Sequence, residues 1–221
     1  MEFFEILLNV VAPHRCINCN TEGSLACVDC LQNVSIKRPT CFRCNRLSDG
    51  GKTCPSCRRQ TDLAGVVVAA HYDGLAKELV QALKYQQQVA ASEILAKLLA
   101  PRLSPAGFDV VTAIPGSPSR YRHRGYHQAE LIAKRVAKQL RLPYRPLLGR
   151  LEVASQVGAS RDQRLSRVHD SFWVRHPASF SGQRVLIIDD VLTTGATVNE
   201  AAHVLREAGA TSVWGGVAAK H

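Results

Sequence analysis

Four C-x-x-C pairs, all before residue 58, set the first constraint on this chain: Cys16/Cys19, Cys27/Cys30, Cys41/Cys44 and Cys54/Cys57. They account for all eight cysteines. A C-x-x-C turn aims two thiolates at one centre while its backbone amides hydrogen-bond to sulfur. Two such knuckles make a closed tetrahedral site with Zn–S near ~2.3 Å. Four pairs therefore imply two structural zinc sites, each held by four cysteine thiolates. Gaps of seven and nine residues favour joining neighbours, Cys16/Cys19/Cys27/Cys30 and Cys41/Cys44/Cys54/Cys57. Interleaved, cross-braced pairing is compatible with the same residues. An iron–sulfur cluster also takes four thiolates, so spacing favours zinc without excluding iron. A disulfide framework belongs to exported chains, and a redox C-x-x-C usually stands once, beside a βαβ unit. Residues 12–60 carry too little apolar content to fold without metal.

The N-terminal stretch MEFFEILLNVVAPHRC has Glu2 and Glu5 where an export signal carries Lys or Arg, and no small-residue cleavage site follows. It reads as a short amphipathic helix, and the protein is expected in the cytoplasm. No apolar run reaches the ~18 residues of a membrane span, so no membrane insertion is expected.

A formal charge of +10 favours anionic partners, phosphates or nucleic acid. Lys134, Lys138 and Arg141 read as a solvated helix face. Arg120, Arg122 and Arg124, and Arg161, Arg164 and Arg167, fall in expected loops and are better placed for ligand contact. Within the cysteine module, Arg38, Arg43, Arg46, Lys52, Arg58 and Arg59 supply charge and Phe42 a ring for stacking on a base. Solvated loops around a metal knot explain the same residues equally well.

After Gln60 the composition changes to apolar runs alternating with amphipathic stretches. Strands are expected at 65–72, 108–114, 184–190 and 211–219, and helices at 76–85, 92–99, 128–140 and 198–208. Residues 151–170 are polar and aperiodic, as a mobile loop is. Strands alternating with helices imply a mainly parallel, doubly wound α/β sheet. The division is residues 1–60, an N-terminal helix and double zinc-ribbon module, and 61–221, an α/β domain.

Residues 185–197, VLIIDDVLTTGAT, form a buried strand, two acids at its carboxyl end, and a Thr/Gly-rich turn into a helix. Ligands of open α/β sheets bind beyond the carboxyl ends of strands. A helix starting near Thr197 points unpaired N–H groups at an anion. Thr193, Thr194 and Thr197 add hydroxyls, and Gly195 lets the backbone, with that of Ala196, approach phosphate oxygens. Asp189 and Asp190 accept from vicinal hydroxyls, which a ribose offers. Two adjacent acids at a buried strand's end are costly without a ligand or cation. Neither a Walker A loop nor a dinucleotide fingerprint is present.

These residues resemble the signature of type I phosphoribosyltransferases, whose ligand is phosphoribosyl pyrophosphate (PRPP). With the cysteine pairs, YDGLAKELVQALKY (72–85), AIPGSPSRYRHRGYHQA (113–129) and Gln156, Arg164 and Phe172, the chain is similar to the ComF family over nearly its whole length. That family includes competence-associated and gluconate/DNA-utilisation proteins. The resemblance implies a phosphoribosyltransferase-like, mainly parallel sheet flanked by helices, with PRPP and Mg2+ as ligands. It implies a pyrophosphate loop at Pro115, Gly116 and Ser117, Arg120 and Arg124 on the pyrophosphate, Gly125 in a tight turn, and Asp189 and Asp190 as catalytic residues on the ribose. Single-stranded DNA or a competence helicase are the partners implied by a second, non-catalytic reading. The family's R-G-F-N-Q stands here as Arg124-Gly125-Tyr126-His127-Gln128, and its usual Asn is Arg167.

Overall fold

A computed structural model describes residues 15–103, 107–150 and 172–221. The expected N-terminal helix and the polar segment 151–170, with Gln156, Arg161, Arg164 and Arg167, lie outside the described residues.

The metal module contains two short helices, α1 (Val28–Gln32) and α2 (Pro55–Arg58), each following a cysteine that begins a knuckle. Then come β1 (Leu63–His71), α3 (Gly74–Tyr85), α4 (Ala91–Leu103), β2 (Val110–Ala113), α5 (Pro118–Arg124) and α6 (Gln128–Leu140). They are followed by β3 (Leu148–Arg150), β4 (Phe172–Val174), β5 (Arg184–Leu192), α7 (Ala196–Glu207) and β6 (Ser212–Lys220). Four strands form one sheet in the order β1-β6-β5-β2, and every pairing is parallel. β3 and β4 make a separate antiparallel pair.

Val185, Leu186, Ile187 and Ile188 are all fully buried, which explains why β5 reads as an unbroken apolar run. Both of its faces are covered. Leu186 and Ile188 join a cluster with Leu79, Leu83, Leu95, Leu99, Ile132 and Val136 from α3, α4 and α6. Val185 and Ile187 join Val198, Ala201, Ala202 and Leu205 of α7, together with Leu148 and Phe172 of the small hairpin. The two zinc ribbons divide between these faces. Leu25 and Ala26, from the first, are buried in the α3/α4/α6 cluster, and Phe42, from the second, is buried in the α7 cluster.

Two elements differ from the sequence reading. Residues 118–124, expected as loop, are helix α5; Pro118 occupies the first turn, where its missing N–H costs nothing. Gly125 ends that helix in the left-handed region at φ 79°. The β3–β4 pair was not foreseen, because strands of three residues are too short to carry a period.

Candidate functional site

The eight cysteines gather as neighbours, not interleaved: Cys16, Cys19, Cys27 and Cys30 in one group, Cys41, Cys44, Cys54 and Cys57 in the other. Within each group the ligand atoms lie within 4.8 Å of one another. Sulfurs around tetrahedral Zn2+ stand about 3.8 Å apart. Cys19 and Cys27 are at 3.5 Å and Cys44 and Cys54 at 3.6 Å, so both sets fit the ion. The Ser56 hydroxyl, then the Cys57 amide, bring the Cys54 thiol down to about 6. Contact with the Cys54 sulfur and then burial push Cys57 up to about 12. Such crowding of sulfur is what a bound dication relieves.

The ring proposed for base stacking does not face solvent. Phe42 is 7% exposed and packs against the turn before α7. Two of the module's arginines are also engaged: Arg43 donates to the Gln60 carbonyl at 2.6 Å and Arg58 to that of Leu63 at 2.7 Å. Sequence cannot distinguish a buried ring from an exposed one in so short a loop.

At the carboxyl ends of β2 and β5 lies a cavity of about 300 Å³. β5 contributes Asp189 and Asp190, the start of α7 contributes Thr197, and the segment after β2 contributes Ile114, Pro115 and Gly116. Arg124, at the end of α5, also lines it, whereas Ser117, Thr193, Thr194, Gly195 and Ala196 are not among its lining residues. Ser117 caps α5, its Oγ 3.1 Å from that of Ser119; Arg120 lies within the helix, and its side chain is outside those described. Thr193 and Thr194 are exposed, and Gly195 is buried at φ 81° as the residue preceding α7. The Thr194 hydroxyl accepts from the Ala196 amide at 3.3 Å.

Five further residues line the cavity: Lys84, His127, Gln128, Ala129 and Arg150. Lys84 Nζ stands 2.8 Å from Asp190 Oδ2, with both side chains less than a quarter exposed. It ends an amphipathic helix in sequence, and nothing local marks it as a partner for a residue 106 positions later. Asp189 Oδ1 accepts from the Asp190 amide at 2.9 Å. Burial, then the like charge of Asp190, raises the Asp189 carboxyl from 3.8 to about 7, against the pull of Lys84 and Arg150. Burial lowers His127 below its ordinary value, with Glu130 opposing. The buried Gln128 Nε2 has no hydrogen-bond partner among the described residues. Gly116 leaves no room for a Cβ beside His127, so the loop must be backbone alone there.

The cavity brings carboxylate acceptors together with cationic and amide donors, at the carboxyl ends of parallel strands. Comparison with known proteins agrees with this geometry. Residues 7–61 match the model of a double zinc ribbon domain, and residues 127–220 that of a phosphoribosyl transferase domain. Competence protein F of Haemophilus influenzae is 28% identical over 219 residues, covering 91% of this chain and 95% of that protein. Competence protein ComFC of Streptococcus pneumoniae is 27% identical over 180 residues, 74% of this chain and 79% of the relative. DNA utilization protein YhgH of Escherichia coli K12 is 25% identical over 198 residues, 78% and 86%. A double zinc ribbon match, a phosphoribosyl transferase domain match and relatives aligned along most of both chains make this protein similar to the competence protein F, ComFC and YhgH group.

Proposed function

We propose that this chain binds PRPP and transfers its phosphoribosyl group to an acceptor. Asp189 and Asp190 hold the ribose hydroxyls, the turn at 193–197 takes the 5-phosphate, and Pro115, Gly116 and Ser117 with Arg120 and Arg124 meet the pyrophosphate. One observation carries the reading: the acid pair and Thr197 share a single cavity with Pro115, Gly116 and Arg124. The unpartnered Gln128 amide and the raised Asp189 carboxyl support it, since both are costs that a ligand offsets.

In the reaction the acceptor's nucleophile bonds to the anomeric carbon as the bond from that carbon to the pyrophosphate oxygen breaks. The electron pair leaves on pyrophosphate. Positive charge developing on the ribose is stabilised by the fixed carboxylates below it. Asp189 and Asp190 are hard oxygen donors of the kind Mg2+ takes. Bound with PRPP, that ion supplies charge neutralisation for the leaving group. Calorimetry of PRPP with Mg2+, followed by pyrophosphate release assayed with purines, pyrimidines, amines and ammonia, tests the proposal. Asp190→Ala should abolish PRPP binding, and undiminished binding would refute the site.

A second reading, non-catalytic handling of single-stranded DNA in competence, draws on two exposed aromatic–arginine pairs. Arg124 lies 5.2 Å over the ring of Tyr85, which is 73% exposed, and Arg175 5.1 Å over Trp173, which is 45% exposed. Stacking of bases on such rings is tolerant of sequence. Retention of oligonucleotide that falls steeply with salt supports this reading, and no retention at low salt removes it. A helicase partner belongs to the same reading.

A further inference from the structure

The second zinc ribbon is built into the turn that precedes α7. Gly195 takes a left-handed conformation at φ 81°, and a Cβ placed there would stand 2.9 Å from Phe42 Cδ2 and 3.6 Å from Leu192 Cδ1. The Phe42 ring therefore lies directly against the turn. Three more contacts hold the same joint. The Thr61 hydroxyl donates to Asn199 Oδ1, one helical turn into α7. His203 Nδ1 lies 3.0 Å from Asp62 Oδ2. Lys220, at the end of β6, donates to Asn45 Oδ1 at 2.6 Å, and Asn45 follows the Cys41–Cys44 knuckle.

The knuckle fixes Phe42 by its own hydrogen bonds, the Cys41 amide to the Arg46 carbonyl at 2.9 Å and the Asn45 amide to the Cys41 carbonyl at 2.8 Å. Asn45 is held at φ 58°. A loop of this kind, with few apolar contacts of its own, keeps its shape only while its cysteines share a metal ion. The first ribbon has the same local plan, with the Cys16 amide bonded to the Thr21 carbonyl at 2.8 Å, yet it packs through Leu25 and Ala26 on the other face of the sheet. Among the described residues, only the second ribbon thus packs against this turn.

We propose that Phe42 is a positioning residue for the 5-phosphate turn, so that the Cys41/Cys44/Cys54/Cys57 site is coupled to sugar-phosphate binding and the Cys16/Cys19/Cys27/Cys30 site is not. The inference rests on the reading of 193–197 as the phosphate turn. Its physical content is preorganisation. N–H groups held in place before the ligand arrives bind it without paying an ordering cost. A loosened turn must be ordered by the ligand itself.

The test uses full-length, zinc-loaded protein in three forms: unchanged, Phe42→Ala, and Leu25→Ala as the matched truncation on the first ribbon. Amide hydrogen exchange without ligand is measured at residues 194–197. Affinities for ribose 5-phosphate and for inorganic pyrophosphate, each with Mg2+, are measured by calorimetry. Phe42→Ala should speed exchange in the turn and weaken ribose 5-phosphate about tenfold, leaving pyrophosphate within about twofold. Leu25→Ala should change neither exchange in the turn nor affinity. Phe42→Leu, which keeps apolar bulk, should fall between. Equal loss of both ligands, an unaltered turn in Phe42→Ala, or the same response from Leu25→Ala overturns the proposal. If the unchanged protein binds no ribose 5-phosphate, the proposed function fails. Exchange alone then decides whether Phe42 holds the turn.

Discussion

Lys84 and Asp190, on α3 and at the end of β5, form an ion pair at 2.8 Å inside the cavity that also holds Asp189. Two carboxylates side by side at the carboxyl end of an interior strand repel and lose hydration, and the ammonium compensates one of them. The pair also places the end of α3 within the site.

Lys84→Met removes the ammonium paired with Asp190. It should cost about 1–3 kcal/mol of stability at pH 8, as for removal of one member of a charged hydrogen bond. Lys84→Met/Asp190→Asn should recover most of that loss, because the uncompensated charge goes with its partner. Urea denaturation of the four proteins in the cycle measures the coupling; strictly additive effects would mean the pair contributes nothing.

Asp189 gives a pH dependence of definite sign. Its carboxyl sits at about 7 in the folded protein against an ordinary 3.8, chiefly through burial and then through Asp190. The folded state therefore holds a proton more tightly than the unfolded chain. The stability this confers is present below pH 4 and is lost as pH rises through about 7. Asp189→Asn should accordingly raise the melting temperature above pH 7, with the gain shrinking toward zero near pH 4. Thermal melts across that range check it, and a gain constant with pH would contradict the burial argument.

Metal content should be two zinc ions per chain by elemental analysis. Cys27→Ser should leave the Cys41 group loaded, and Cys57→Ser should leave the Cys16 group loaded, because no cysteine is shared between the groups. Iron in place of zinc, or loss of both ions from a single substitution, would contradict this picture.

His203 bridges Asp62 at 3.0 Å and Glu207 at 3.4 Å. Partial burial opposes its charge, but the Asp62 hydrogen bond and then the charge of Glu207 raise its pKa above the ordinary 6.5. The stabilisation is thus complete below pH 6.5 and fades as pH rises past the folded-state value. The pair is about half exposed, so solvent screening keeps the effect small. The stability gap between His203→Gln and the unchanged protein should be visible at pH 5.5 and absent at pH 8.5. A gap that persists at pH 8.5 would point to packing instead of charge.

Much of this architecture is legible in the order of residues because its signals are local. Cysteines with two residues between them form knuckles, and short gaps favour neighbours, but the folded chain decides against interleaving. The helix at Gln128–Leu140 begins and ends where its apolar period does. VLIIDD announces a strand covered on both faces, and the Thr/Gly turn a helix start beneath it. What sequence could not supply were relationships between distant segments. Lys84 reads as an ordinary helix-end cation until packing of α3 against the sheet carries it to Asp190. Phe42 reads as a ring free to stack until the second ribbon folds onto α7 and buries it against Gly195. Local pattern determines which elements form, because hydrogen bonding and burial period act over a few residues. Which element lies behind which is decided by how the two sheet faces are filled, and only the folded chain settles it.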